Sequence, residues 1–364
     1  MNYRAGIIGT GGIAGMGILG MHDQEDIGIE RFTESHAGGY EAHDQIELVA
    51  VSDIDEERVH RFGEAWGIEP ENRFTSHEMM LEHADLDILS VCTPTYLHHQ
   101  HVIDAARIAP DLSIIWCEKP IASGISDAED MMSACLGADI ELVVNHSFRF
   151  TSKLQALQQL IQEGLVGDIR TINAIFRREL LRNSTHLIDT VMYLLDTTPT
   201  RATGYINGEN DAVTALQGDR EVDDSGGGGF VIMEDGTFVT IDCTVARDIS
   251  SMAIQVIGTE GKLYLNNDDG DWRYWNLDDG EHVERPIPGI DGAWSWEEDY
   301  RGSFRNAAKH LVELLEGSVD NHSPGQEATI SLEVITAFYV SHYTNSQVDF
   351  PLDRPLKDVT ITSW

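Results

Sequence analysis

The residues able to do chemistry in this chain fall in a few short segments. Gly9-Thr10-Gly11-Gly12-Ile13-Ala14 has G-x-G-x-x-A spacing after an apolar run. Its first Gly permits a tight turn, its second lets backbone N–H groups approach a pyrophosphate, and the small last residue lets helix and strand pack closely. Asp53, with Ile54 after it, ends the second apolar run. An acid there accepts hydrogen bonds from the adenosine ribose hydroxyls and repels a 2′-phosphate, which favours NAD; Ser52 beside it leaves NADP open. The competing reading is that Asp53 only caps the next helix. Lys119 follows the fourth apolar run, at the strand end where ligands bind in parallel sheets. Hydride chemistry needs an acid/base group near a nicotinamide, and Lys119 is placed to be one. Arg170, Arg177, Arg178 and Arg182 crowd into an otherwise acidic chain. With Arg149 and Lys119 they predict an electropositive pocket for an anionic substrate such as a sugar acid, because the guanidinium fork matches carboxylate and phosphate. The alternative is that they pair with surface acids such as Glu179.

These residues need elements to position them. Residues 3–9, 46–53, 86–92, 113–117 and 141–145 read as buried strands, with helices at 56–66 and 127–136 between them. That alternation predicts a doubly wound parallel sheet, a Rossmann domain over residues 1–147. After it the pattern changes. A helix (153–163), a strand (168–176) and a short apolar helix (186–195) lead into runs of antiparallel type, 229–234, 237–245, 252–257, 261–265 and 272–276. Helices at 300–315 and 326–345 close the chain. Residues 148–364 are expected to form a second α/β domain, with an open and mainly antiparallel sheet, for substrate binding and oligomerisation. Gly9 and Asp53 lie 44 residues apart, where about 20 to 25 is usual. The excess predicts an insertion at about 15–35, within or after the first helix.

Further motifs follow the strands: Cys92-Thr93-Pro94-Thr95-Tyr96-Leu97-His98-His99, Glu118-Lys119-Pro120-Ile121, Asn145-His146-Ser147-Phe148-Arg149-Phe150, Thr185-His186-Leu187-Ile188-Asp189 and Gly258-Thr259-Glu260-Gly261. Together they resemble the Gfo/Idh/MocA family over nearly the whole chain outside the insertion. The resemblance implies an NAD(P)-dependent oxidoreductase acting on a sugar, polyol or sugar-acid-like substrate, working as a homodimer or homotetramer. It implies that Cys92, Thr93, Pro94, Thr95 and Glu118 line the cofactor, with Glu118 at the nicotinamide ribose. It also implies that His186 exchanges the substrate proton while Lys119 orients and polarises the substrate oxygen, or the reverse. Substrate contacts are then expected from Lys119, Arg149, Arg182, Asn183 and His186. One position departs from the pattern: where many members carry Asp four residues before this His, the sequence has Arg182. Two rival functions are a glycoside hydrolase using transient oxidation by bound NAD and a non-catalytic cofactor-binding sensor.

The formal net charge is −38, with 62 Asp and Glu against 24 Lys and Arg. Such a surface opposes nucleic acid and anionic membranes. The acids run through both halves, and the lysines are only Lys119, Lys153, Lys262, Lys309 and Lys357. We read this as adaptation of a cytoplasmic, halophilic protein to strong ionic screening. Cys92, Cys117, Cys135 and Cys243 form no CxxC and predict reduced thiols. No metal site is expected: the His98-His99-Gln100-His101 run lacks a completing ligand set, and His98 is expected to touch the cofactor. Asn267 to Asp271 predicts a hairpin turn. Trp272, Tyr274, Trp275, Trp294 and Trp296 are expected to serve packing or an interface rather than a sugar.

Overall fold

A computed structural model describes residues 2–17, 31–195, 197–207, 221–246 and 252–363. The protein is built as two compact units. The first comprises residues 1–122, 127–150 and 301–326, and the second 123–126, 151–300 and 327–364.

The first unit is built on a parallel sheet of β1 (Tyr3–Ile8), β2 (Ile46–Ser52), β3 (Arg73–Phe74), β4 (Ile88–Val91), β5 (Ile114–Cys117) and β6 (Glu141–Val144). The strand order is β3-β2-β1-β4-β5-β6, so the order reverses between β1 and β4. Ligands bind at the carboxyl ends of strands around such a reversal. The five long apolar runs of the sequence are all strands here. The two-residue β3 is too short to leave a periodic signal. The helices of the sheet are α1 (His36–Glu41), α2 (Glu56–Trp66), α3 (His77–His83), α4 (His98–Ile108) and α5 (Ile125–Gly137). Asp55 caps α2, its side chain accepting from the N–H groups of Glu57 and Arg58. The reading of Asp53 as that cap is therefore corrected: the capping carboxylate is two residues further on.

The insertion interrupts the first helix rather than following it. Gly11 to Gly15 make one turn, with Ala14 N–H and Gly15 N–H donating to Gly11 O. His36 N–H then donates to Ile13 O, and Ala37 N–H to Ala14 O. These are the bonds a helix would make if His36 followed Met16 directly, with residues 17–35 of the sequence left out of the count. Without those nineteen residues the spacing from Gly9 to Asp53 falls from 44 to 25. The neck is closed by a Met16–Arg31 bridge and by Phe32 N–H on Gly15 O. The ring of Trp66, from α2, lies under Arg31 and donates its indole N–H to Gly15 O. Residues 18–30 of the insertion lie outside the described residues.

The sheet of the second unit is mixed and mostly antiparallel. Its strands are β7 (Ile169–Arg177), β8 (Pro199–Asn207), β10 (Gly226–Met233), β11 (Phe238–Val245), β12 (Ala253–Gly258), β13 (Gly261–Asn266), β14 (Asp271–Asp278), β15 (Glu281–Arg285) and β16 (Val348–Asp349). Among the described strands of this nine-stranded sheet, only the β7–β11 pair is parallel. β9 (Glu221–Asp223) pairs separately with β17 (Thr360–Thr362). The helices are α6 (Ser152–Gln162), α7 (Thr185–Leu194), α8 (Arg301–Leu315), α9 (Gly325–Thr344) and the short α10 (Arg354–Lys357), of which α8 belongs to the first unit. Gly204 of β8 admits close packing: a Cβ there would lie 2.4 Å from the Phe338 backbone of α9. β8 leaves no clear strand signal in the sequence because it starts on Pro199 and carries this Gly in its interior.

The domain limits expected from the sequence differ from the compact units. The first unit runs on to Phe150, and residues 301–326 return to it. The reason is the apolar stripe of α8. Phe304, Ala307, Ala308, Leu311 and Val312 join the same buried cluster as Tyr40, Phe62 and Trp116.

Candidate active site

The glycine-rich turn follows β1 at the strand reversal. Gly9 has φ +89°, and a Cβ on it would lie 3.0 Å from the Cys92 carbonyl, so only Gly fits against the loop after β4. A Cβ on Gly11 would meet nothing within 4 Å, so the backbone there faces open space. The N–H groups of Gly11, Gly12 and Ile13 precede the first intrahelical donor, Ala14. Such N–H groups are the cradle an anionic diphosphate requires. Asp53 Oδ2 accepts from Thr10 N–H at 2.9 Å and Thr10 Oγ1 at 2.7 Å, while Oδ1 accepts from Asp55 N–H. The carboxylate is thereby fixed beside the turn and keeps lone pairs for ribose hydroxyls. Ile54, beside it, is 94% exposed, and Ser52 is buried. These residues fit a dinucleotide such as NAD.

The loops after β4 and β5 flank the turn. His98 opens α4 and is buried. Its Nδ1 lies 2.9 Å from Pro120 O and its Nε2 2.8 Å from Thr93 O. It therefore ties the Cys92–Thr95 loop to the Glu118–Pro120 loop from behind. His98 is expected at the cofactor, and here both of its ring nitrogens face backbone carbonyls. Burial lowers its pKa, against the Thr93 carbonyl, the Glu118 charge and the Pro120 carbonyl. Thr93 Oγ1 meets His101 Nδ1 at 3.0 Å, and burial first, then the charges of His77 and His98, takes His101 down to about 4. Burial raises the Cys92 thiol well above its usual range, as do Glu118 and Cys117 beside it, so Cys92 serves as a small apolar group. Lys119 is half-buried, and the Lys119–Pro120 peptide is cis.

Behind Glu118 lies a polar network that the sequence does not announce. Tyr40 OH lies 2.5 Å from Ser90 Oγ, Ser90 Oγ lies 2.8 Å from His36 Nδ1, and His36 Nε2 lies 2.9 Å from Glu118 Oε1. Asn145 Nδ2 donates to the same Oε1 at 2.5 Å. Burial pushes the Glu118 carboxyl up, but the His36 bond and charge, the Lys119 charge and Asn145 outweigh it, leaving the pKa below the usual carboxylate value. An ionised Glu118 only accepts, so His36 Nε2–H must donate to it. Ser90 Oγ lies within hydrogen-bond distance of both His36 Nδ1 and Tyr40 OH, and joins the two. His36 also lies against Trp116, ring centres 3.7 Å apart. The network holds Oε1 of Glu118 from the interior. His36 follows the insertion in sequence, and its partners are distant in the chain, so no local signal reveals it.

In the second unit, the turn between β7 and α7 carries the other expected residues. His186 is the second residue of α7 and is buried. The turn before it is held from both sides. Asp224 Oδ1 accepts from Leu181 N–H at 3.0 Å and Oδ2 from Arg182 N–H at 2.9 Å. Burial pushes this carboxyl up to about 6, with Glu179 adding to the rise and the two N–H groups and Tyr339 opposing it. Asn183, expected at the substrate, is also buried and donates to Glu179 Oε2 and to Arg178 O, so its amide braces the turn. Ser184 Oγ donates to Arg177 O at 2.6 Å. Asp189 accepts from Ser331 of α9 at 3.4 Å. No pattern in the sequence singles out Asp224, because it stands 42 residues from the Arg182 backbone it holds.

The arginine cluster does not survive folding as one group. Arg170 and Arg177 stand at opposite ends of β7, seven residues and about 23 Å apart in an extended strand. Arg170 pairs with Asp168 at 3.2 Å, both well exposed. Arg149 is only 1% exposed and donates to His322 O, which places its guanidinium inside the first unit. Arg182 is half-buried at the turn before α7. Among the described residues, His77, Glu78 and Asp104 bring ligand-type atoms within 4.8 Å of one another. Gln100 and Arg107 already bind the Asp104 carboxylate, at 2.7 and 2.6 Å, so a cation is its counter-charge there without a metal. The four cysteines are buried and unbridged. The β13–β14 connection is the hairpin turn expected, Asn266 Oδ1 accepting from the N–H groups of Asp268 and Asp269.

The chain matches two family models in succession. Residues 27–146 match an oxidoreductase family with an NAD-binding Rossmann fold, and residues 180–350 match the C-terminal alpha/beta domain of the same family. The first match starts beyond the glycine turn, as expected where an insertion splits the first helix. Among curated proteins, D-apiose dehydrogenase of Paraburkholderia graminis is 26% identical, over 93% of this chain and 92% of that protein. Myo-inositol 2-dehydrogenase of Thermotoga maritima is 28% identical over 39% of this chain and 41% of that protein. The fold is shared with the WlbA dehydrogenase of Bordetella pertussis, solved with NADH and UDP-GlcNAcA: TM-score 0.75, 20% identity, 97% of this chain and all of that one. The turn, the strand order and both matched regions place the chain in the Gfo/Idh/MocA family of NAD-binding oxidoreductases.

Proposed function

We propose that this protein is an NAD-dependent dehydrogenase or reductase that interconverts a hydroxyl and a carbonyl on a sugar-like molecule. The observation that carries the reading is the Glu118–Lys119 pair at the carboxyl end of β5, beside the glycine turn and fixed from behind by His36 and His98. Bound NAD supplies hydride acceptance and NADH hydride donation. Gly9 to Ile13 would hold the diphosphate, Asp53 the adenosine ribose, and Cys92 to Thr95 with Glu118 the nicotinamide side. Asp53 favours NAD over NADP, because a 2′-phosphate would meet its carboxylate. Lys119 orients and polarises the substrate oxygen, and His186 takes or gives the hydroxyl proton. A positive Lys119 stabilises oxyanion character, which makes proton removal easier. Arg182 is the cation that selects an anionic substituent. Arg149 and Asn183 act through the framework rather than by substrate contact. The names of the relatives, a D-apiose dehydrogenase, an inositol dehydrogenase and a 1,5-anhydro-D-fructose reductase, support a carbohydrate substrate.

The protein works as a homo-oligomer through the second-unit sheet, where Tyr205, Phe238, Ile175 and Leu277 are exposed apolar side chains. Light scattering behind size exclusion checks this, and a monomer in high salt refutes it. No helix among the described residues is long and apolar enough to cross a membrane. The acidic surface suits a salt-rich cytoplasm, where screening relieves the repulsion of −38 charges.

The functional test is a panel of sugars, polyols and sugar acids in high salt, read by absorbance of NADH, with Lys119→Ala as control. Turnover on a panel member that Lys119→Ala abolishes is expected. NAD binding without turnover on any member would refute the dehydrogenase reading, and glycoside cleavage without net NADH would replace it.

A further inference from the structure

The second unit carries a continuous aromatic series that ends at His186. Trp272 and Trp294 stack at 5.2 Å with their planes 11° apart. Trp294 meets Trp296 edge-on at 6.4 Å, Trp296 meets Tyr300 at 4.9 Å, and Tyr300 meets the His186 ring at 6.4 Å and 77°. Burial changes along the series. Trp294 is buried, whereas Trp296 and Tyr300 are half-buried. The segment is held firmly. Lys153 of α6 donates to Ala293 O and pairs with Asp299 at 2.9 Å, so one ammonium binds both ends. Asp299 also accepts from Ser295 N–H at 2.8 Å. Trp272 is fixed by its own indole bond to Asn267 Oδ1 at 2.9 Å.

We infer that Trp296, with Tyr300 behind it, is the stacking wall for the ring of a cyclic sugar whose reacting hydroxyl is served by His186. The inference rests on the dehydrogenase reading and narrows its substrate to ring forms. An indole face is electron-rich and apolar, and a ring sugar presents a patch of C–H groups of complementary polarity on one face. An acyclic polyol has no such rigid face and gains little from the wall. Because Lys153 immobilises the segment in advance, binding does not have to order it. Trp296 is thus a specificity-determining residue, and packing alone accounts only for Trp272 and Trp294.

The experiment compares the full-length protein with W296A and W296F in saturating NAD. The cyclic probes are D-glucose, D-xylose, myo-inositol and D-glucuronate, and the acyclic ones are sorbitol and glycerol. W296A should raise KM for the cyclic probes about tenfold or more, a loss of the size an aromatic contact supplies. It should leave KM for the acyclic probes and for NAD unchanged, and W296F should restore most of the loss. Equal KM values in W296A and wild type, or an equal rise on cyclic and acyclic probes, overturn the wall. A fall in kcat with KM unmoved also overturns it, because that assigns Trp296 to holding His186. If no probe turns over even in wild type, the dehydrogenase reading fails by itself, and tryptophan emission decides for the wall. Quenching by cyclic but not acyclic probes, lost in both W296A and W296F, supports it; no quenching by any probe overturns it. Circular dichroism of both variants confirms that the fold is kept.

Discussion

Asp224→Asn tests whether a half-buried carboxylate holds the turn that leads to His186. Burial lifts this group from 3.8 to about 6. Near pH 5 the folded protein therefore keeps a proton that the unfolded chain has released. Where the native state binds the extra proton, stability falls as pH rises. The loss is steepest between pH 4 and 6 at up to about 1.4 kcal/mol per pH unit, and levels off above 6. Summed over the whole titration, from below pH 3, the loss amounts to about 3 kcal/mol. Asn cannot titrate, so the unfolding free energy of wild type minus that of D224N should fall by about 2.4 kcal/mol from pH 4 to pH 7. The background repulsion of a protein with −38 charges is common to both and cancels in the difference. The variant also loses one of the two bonds to Leu181 and Arg182 N–H, which lowers its curve by about 1 kcal/mol at every pH without changing the slope. Urea melts followed by tryptophan emission at closely spaced pH values, at fixed high salt, measure it. Parallel curves, or a difference that grows with pH, would refute the reasoning.

The remaining expectations are simpler. Lys119→Ala and His186→Asn should each lower kcat by about 100-fold or more, with NADH binding unchanged in a fluorescence titration; a loss of binding instead would place either residue at the cofactor. Asp53→Asn should raise the NADP-to-NAD ratio of kcat/KM about tenfold or more, since it removes the charge that opposes a 2′-phosphate; an unchanged ratio would put discrimination elsewhere. His36→Leu removes a donor to an ionised, buried Glu118 and the partner of Ser90, and should cost about 2–4 kcal/mol in urea unfolding. Tyr40→Phe, at the far end of the same series of bonds, should cost only about 1 kcal/mol, and a loss equal to that of His36→Leu would refute this ranking.

Legibility in the sequence followed the range of the interactions. The parallel sheet and its glycine turn could be read because each rests on a contiguous run: apolar strands, a G-x-G-x-x-A spacing, an acid at a strand end. The antiparallel sheet announced itself through Gly and Asp turns such as Asp235-Gly236, where Gly236 takes a φ of +88°. What stayed hidden depends on distant partners. α8 reads as a C-terminal helix, and only its buried stripe shows that it completes the first unit. The arginines from Arg170 to Arg182 look like a cluster because sequence distance stands in for spatial distance, and an extended strand makes that wrong. No local signal connects Trp296 with His186, because they stand 110 residues apart and Tyr300, the ring that joins them, lies outside the tryptophan pattern.

The insertion and the buried network are two sides of one constraint. A turn of helix as short as Gly11 to Gly15 is an unfavourable nucleus by itself. It persists because Ile13 O and Ala14 O receive the N–H groups of His36 and Ala37, so that the second segment completes the helix as if nothing intervened. Closing a loop of this length costs only slightly more than closing a shorter one, since the entropy grows logarithmically. The position is therefore tolerant of added residues but not of a shifted return. His36, the first residue of α1, must arrive with its ring against Trp116 and between Ser90 and Glu118. A return displaced by one residue would rotate the helix by about 100° and carry the imidazole off that face. Glu118 would then keep its burial and lose its principal donor, and Lys119 follows it in the sequence. The point at which the insertion ends thus decides whether His36 meets Glu118.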